Sequence, residues 1–345
     1  MSAKQISKSS PRGFDRELAE LEALIASFRS GVALDENATA HLRKALAHRN
    51  NFLVAKAARL VADAEVFALL PEVLASYDRF FLDAAKSDPQ CWAKNALVKT
   101  LVKLEHRQKD VYLRGLRHHQ MEGSYGGLSD TAGALRGACT HALVNCPGIN
   151  DADLLSLLLE PLTDTDKTVR IEAARAIGQV GSVSAALILR LRALLGPTAE
   201  DKEEPEVLGA VYSALLSVEG TAAIALVGAA LKEGDDLAAE AAFALADLRA
   251  PEALAALTAR LRAGADGWFS GVLLSAIALT RLPEAMDFLL ALIEGETRQA
   301  TAAIEAIGRI APNEELRARV WQAVEGTGGR RLLDAFREHL PEPHE

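Results

Sequence analysis

An all-α array of stacked helical hairpins is the fold class this sequence predicts, on three observations. Half of the residues are hydrophobic but only 5% are aromatic, with alanine and leucine dominant. That composition suits closely packed helices. Runs of alternating β-branched residues are few, so a sheet is not expected. A short amphipathic helix with an acidic entry and a glycine exit, Asp164 to Gly181, recurs in weaker copies along the 345 residues.

Residues 1–13 are polar, carry Lys4, Lys8 and Arg12, and lack the apolar core of a signal peptide. They read as a disordered tail. Residues 14–48 read as two capping helices, Phe14–Arg29 and Ala33–Ala47, whose charged outer face would close the end of an array. Residues 49–345 read as the array itself. In the central unit Asp166 starts a helix, because a carboxylate there accepts bonds from the free N–H groups of the first turn. Val169, Ala173, Ile177 and Val180 form its apolar stripe and Gly181 ends it. A second helix, Val183–Leu195, completes the hairpin.

Setting Gly178 against Val61, Val102, Val144, Leu216, Ala246, Thr280 and Gly308 gives repeat steps of roughly 28–42 residues, the range of stacked helical pairs. The core stripe then reads Ala93, Leu97, Leu101, Leu104, and next Leu135, Cys139, Leu143, Cys146. It continues through Val207, Val211, Leu215, Val218 and through Leu237, Ala241, Leu245, Leu248. The last copies are Gly271, Ser275, Leu279, Leu282 and Gln299, Ala303, Ile307, Ile310. The first copy, Phe52, Lys56, Leu60, Asp63, fits poorly. Asn50, Asp88, Asp130, Asp166, Glu204, Asp235, Asp266 and Glu296 stand at the helix entries. Two stretches interrupt the pattern, near 119–129 and 196–205. The first follows a short helix, Lys109–His118, and is longer than a hairpin needs. The second is rich in acids and reads as a solvated linker.

The run Asp-x-x-Val-Arg-x-x-Ala-Ala-x-Ala-Ile-Gly-x-Val-Gly at 166–181 resembles HEAT repeats, especially the short type of phycobilin-lyase-like proteins. The resemblance is strongest over 166–195, fair over 235–310 and weak before residue 90. It implies a right-handed α-solenoid of about eight hairpins, with the motif helix lining the concave side. It implies little about activity, because that family spans scaffolds, adaptors, lyases and DNA-binding enzymes.

In this register Trp92, Lys99, Lys103, His141, Asn145, Arg175 and Gln179 face the groove, followed by Ser213, Ser217, Phe243, Asp247, Ile277, Arg281, Glu305 and Arg309. Lys94, Arg136 and Arg170 share another position. They make either a ladder pairing with acids at adjacent helix starts or a basic strip for an anionic partner. From His41 to His119, 14 Lys+Arg stand against 8 Asp+Glu; from Gly196 to Glu345, 13 stand against 25, and the whole chain carries −9. That polarity argues against a general nucleic-acid binder, which wants a basic surface throughout.

Chemistry-bearing motifs are sparse. No Gly-x-Ser-x-Gly, Cys-x-x-Cys or His-Glu-x-x-His occurs. His106, His118, His119, Glu122, Cys139 and His141 fall in one region, but their spacing matches no zinc motif. Gly326–Arg331 reads as a helix-to-helix turn rather than a phosphate loop. Cys91, Cys139 and Cys146 read as reduced, buried thiols of a cytoplasmic protein, the latter two on one helix. No apolar run reads as a membrane span. The expectation is a non-enzymatic scaffold, without metal or cofactor, holding a protein or peptide with an acidic segment. Trp92 and Tyr125 would anchor it, and Lys94, Lys99, Lys103, Arg136, His141, Arg170 and Arg175 would line its site. The alternatives are a nucleic-acid-binding HEAT-like protein and an enzyme or metal site at the His118–Tyr125 loop.

Overall fold

The computed structural model describes residues 11–196, 198, 203–265 and 267–341. The described chain is helical apart from one two-stranded sheet. It divides into two compact units at Ala173/Ala174, inside one helix.

The first unit contains α1 (Pro11–Arg29), α2 (Glu36–Leu46), α3 (Asn51–Asp63), α4 (Leu70–Arg79), α5 (Ala84–Ser87), α6 (Trp92–Lys103) and α7 (Lys109–Leu116). A hairpin of β1 (Met121–Ser124) and β2 (Gly127–Asp130) follows, then α8 (Gly133–Leu143), α9 (Asp151–Leu159) and the start of α10 (Lys167–Val180). Helix α6 packs on α3, α4 and α8, and α7 packs on α8. The α3–α6 seam is lined by small side chains, Ala57, Ala58 and Ala96, which lets the Thr100 hydroxyl donate to the Ala58 carbonyl at 2.8 Å. The predicted tail and first helix shift slightly: α1 begins at Pro11, and residues 1–10 lie outside the described residues.

The second unit contains α11 (Val183–Leu195), α12 (Pro205–Glu219), α13 (Ile224–Ala229), α14 (Asp236–Asp247), α15 (Pro251–Arg262), α16 (Gly267–Leu279), α17 (Pro283–Glu294), α18 (Ala300–Arg309), α19 (Glu314–Thr327) and α20 (Arg330–His339). Helices α12, α14, α16, α18 and α20 pack in succession, with α13, α15, α17 and α19 beside them. Gly181, at φ +68°, ends α10, and Gly328, at φ +67°, makes the turn between α19 and α20. By length and composition Pro205–Lys232 is apolar enough to cross a membrane, contrary to the sequence reading. In the fold, Gly220 at φ +59° breaks it into α12 and α13, and both pack on α14.

Most of the predicted stripe is interior: Ala93, Leu97, Leu101, Leu135, Cys139, Leu143, Val207, Val211, Leu215, Ala241, Leu245, Ala303 and Ile307 are buried. The ill-fitting first copy is corrected by a rotation of α3, which buries Leu53, Val54, Ala57 and Val61 and leaves Lys56 half-exposed. In α16, Ile277 is buried and Leu279 is exposed, the reverse of the reading. This helix has 13 residues and no charge, so its period cannot orient it. Side-chain caps hold the entries at Asn50, Asp166 and Asp235, whereas Glu204 makes none and Asp266 lies outside the described residues. Helix α8 stops at Leu143, so Cys146 lies beyond it. All three cysteines are free and buried.

Close approach between neighbouring helices depends on small residues. A Cβ placed on Gly178 would lie 2.8 Å from the Ala214 Cβ and 3.1 Å from its Cα. Gly178→Val is therefore expected to force α10 and α12 apart, costing about 2 kcal/mol in a urea unfolding measurement; a neutral substitution would contradict this packing.

Candidate functional site

The stretch read as a loop insertion is a β-hairpin, correcting the expectation that no sheet occurs. Met121 pairs with Asp130 and Ser124 with Gly127. Tyr125 and Gly126 form the turn, and Gly126 and Gly127 take φ of +104° and +148°. Those backbone angles suit glycine and reverse the chain within two residues.

A buried polar hub holds the base of this hairpin. Asp130 Oδ1 accepts from the Gln120 and Ala132 backbone N–H groups at 2.9 and 3.0 Å. Its Oδ2 accepts from Arg136 Nη1 at 2.6 Å and lies 2.8 Å from His119 Nδ1. Arg136, only 2% exposed, turns its Nε and Nη2 onto both oxygens of Asp164 at 2.7 and 2.9 Å, a two-pronged geometry that lysine cannot supply. Its Nη1 also donates to the His118 carbonyl at 3.1 Å.

A second buried pair lies at the start of α6. Asp88 accepts from the Ala93 and Lys94 backbone N–H groups, capping the helix, and from Lys94 Nζ at 3.0 Å. Both side chains are fully buried, and Lys94 Nζ donates onward to the Phe80 carbonyl at 3.2 Å. Gln120 reaches this pair: its Nε2 donates to the Asp88 carbonyl at 2.8 Å and to Glu122 Oε1. Glu122 Oε1 in turn accepts from the Gln90 N–H and the Thr131 hydroxyl, both at 2.7 Å. The hairpin is thus fastened beside the first turn of α6, where Trp92 stands.

The electrostatics follow from this wiring. Burial opposes charge on Asp130, yet the two N–H groups, His119 and Arg136 outweigh it and hold the carboxyl well below its ordinary range. Asp164 is lowered too, with burial overcome by Arg136 and the Asp166 N–H. Burial lowers His118, against the opposing bond to Gln120. Burial raises the Cys139 thiol to about 12 and Cys91 to about 11, which removes thiolate chemistry at neutral pH.

The residues expected to line a binding site divide accordingly. Lys94 and Arg136 are buried and committed to carboxylates, so they cannot meet a partner; this corrects their assignment. Arg170 is also buried, with Nη1 donating to the Asp164 carbonyl. The paired-ladder alternative describes these side chains better than the basic strip does. His141 is half-buried, with Nδ1 3.6 Å from Glu172 Oε2. Arg175 is exposed on the second unit. Trp92 is 48% exposed, its ring 5.8 Å from that of Phe52. Lys99 and Lys103 are exposed farther along α6, and Lys103 reaches Glu65 at 2.7 Å. Tyr125 is fully exposed, and Met121 and Leu128 on the strands are exposed as well.

Among the described residues no group of three or more His, Cys, Asp or Glu is placed to hold a metal ion. Glu203, read as part of a solvated linker, pairs with Arg192. Sequence reasoning missed Asp88, Gln120 and Asp164 as members of the hub. One signal was present: Asp88, Asp130 and Asp164 each stand six residues before Lys94, Arg136 and Arg170.

No family model matches the chain, and no curated protein matches it. Among solved structures, the crystal structure of an engineered protein aligns over 93% of this chain and 94% of its own, at 15% identity and a TM-score of 0.34. That overlap is too loose to carry an argument about either fold or function.

Arg136→Met is expected to leave two partly buried carboxylates without their cation, costing about 3 kcal/mol or more in urea unfolding. The pH dependence has a definite sign. His118, Asp130 and Asp164 all bind protons less readily when folded, so their contribution is present at neutral pH. It declines as pH falls below the ordinary histidine value of 6.5, and further below the ordinary aspartate value of 3.8. A urea midpoint that rises from pH 7 to pH 4 would contradict this.

Proposed function

We propose that the chain is a non-enzymatic, HEAT-like helical scaffold that binds a protein or peptide partner. The contact surface lies on the first unit and is formed by the hairpin tip and the exposed face of α6. The carrying observation is the contrast between the two ends of the hairpin. Its base is fixed by a hub in which Lys94, Arg136, Asp88 and Gln120 are all buried, while its tip offers Tyr125 and Leu128 to solvent. A stiff support under exposed aromatic and aliphatic side chains lowers the ordering cost of binding. Trp92, at the same end of α6, adds a second aromatic anchor. Lys99 and Lys103 favour an acidic segment in the partner.

The HEAT-like reading is supported by the recurrent acid-capped helix and by the succession of packed helices within each unit. The surface that binds is smaller than the sequence register implied, because Lys94 and Arg136 are withdrawn from it.

Trp92→Ala with Tyr125→Ala is the direct test, since both side chains are exposed. The immobilised wild-type chain is expected to retain partner proteins that the double variant loses, with stability changed by no more than about 0.5 kcal/mol. Lys99→Glu with Lys103→Glu is expected to weaken the same capture. Retention unchanged in both variants would overturn the reading. A mobility shift of DNA or RNA that weakens steeply with salt, and disappears in the lysine variant, would replace the protein partner with a nucleic acid.

A further inference from the structure

Helix α11 carries a feature that the hairpin surface does not use. Its inward face, Ala185, Ala186, Leu189 and Ala193, is buried, and the helix packs on α12. Its outward face is also apolar: Val183, Leu187, Leu191, Leu194 and Leu195 are 80%, 61%, 58%, 57% and 54% exposed. These residues follow one another at helical spacing and form a ridge ~18 Å long. Ser184 and Arg190 stand beside them on the helix. The two arginines of the helix are turned aside, Arg190 onto Glu219 and Arg192 onto Glu203.

We propose that this ridge is a homodimer interface, occupied by the same helix of a second copy across a two-fold axis. Three observations favour a second copy. The five side chains expose on the order of 500 Å2 of apolar surface, near the upper end for an ordinary monomer patch. Two such ridges together bring ~1,000 Å2, the threshold for a specific interface, before any flanking contact is added. The ridge is uncharged while its neighbours are already paired, so it needs no countercharge and is complementary to itself. The Ser182 hydroxyl caps the helix by accepting from the Ala185 N–H, so the ridge is formed before association. Helices meeting through side chains spaced four apart cross as two sets of interleaved ridges, with Leu187 and Leu191 nearest the axis.

The surrounding charge adds a signature. From Gly196 to Glu345 the chain carries 13 Lys+Arg against 25 Asp+Glu, so two copies approach with like charge. Salt screens that repulsion and leaves apolar contact intact, so the dimer strengthens with ionic strength.

Sedimentation equilibrium of the full chain at micromolar concentrations and several salt concentrations tests this. The wild type is expected to reach twice its 36.8 kDa mass, more completely at higher salt. Leu187→Glu with Leu191→Glu is expected to remain at the monomer mass with an unchanged helical circular dichroism spectrum. Leu191→Cys gives an independent readout, because the native cysteines are buried: mild oxidation is expected to yield a covalent dimer. A wild type that stays monomeric, a dimer that survives the glutamates, or a cysteine variant that does not cross-link would each overturn the proposal. So would a monomer that instead binds neutral lipid vesicles through the same leucines.

Discussion

The structure of the first unit turns on one guanidinium held between two carboxylates. Arg136 has almost no contact with water, and removing so much hydration from a charge costs several kcal/mol. The cost is offset only because Asp130 and Asp164 approach it with near-ideal geometry and because backbone N–H groups complete the shells of both acids. An arrangement so demanding has few alternatives. It sets where α8 lies against the turn before α10, and where the chain enters the helix after β2. Asp88 and Lys94 repeat the solution at the start of α6, and Gln120 joins the two centres.

The hairpin is the consequence. A two-stranded ribbon is marginal by itself in water. Here its base is built into the polar interior and its tip is left outside, so exposed apolar side chains are carried on a fixed support. The rest of the fold works by different physics. Within the second unit, alanine, leucine and a few close-approach glycines pack successive helices with little buried charge, and the outward face of α11 leaves five apolar side chains exposed. The two units therefore offer two kinds of surface: a hairpin tip that carries an exposed aromatic side chain, and a plain aliphatic ridge.

The sequence made the helices legible because their period and their acid entries are strong local signals. Val183–Leu195 and the burial of the central stripe follow from spacing alone. Where the local signal was absent, the reading slipped. Helix α16 is apolar all round, so Ile277 and Leu279 were exchanged. The first repeat was misaligned because Lys56 and Asp63 occupied the assigned core positions while the adjacent residues supplied the burial. The hairpin was read as a loop because its strands are short and carry glycine and serine in place of β-branched residues. The basic row posed a different difficulty. Lys94, Arg136 and Arg170 share one register position in the sequence, but spacing alone does not say whether a cation faces a partner or its own carboxylate. The six-residue offset from Asp88, Asp130 and Asp164 contains that answer, while Asp166 caps α10 and Asp164 takes the arginine.

Hydrogen exchange of Gln90 and of the segment from His118 to Ala132 tests the central claim most directly. If the hub fixes the hairpin, the N–H groups of Gln120, Gln90 and Ala132, each bonded to a hub carboxylate, exchange slowly in the wild-type chain. Substitution of Lys94 by methionine then speeds exchange there while α14 and α16 keep their protection. A hairpin that exchanges freely in the wild type, with the helices around it protected, would contradict the account.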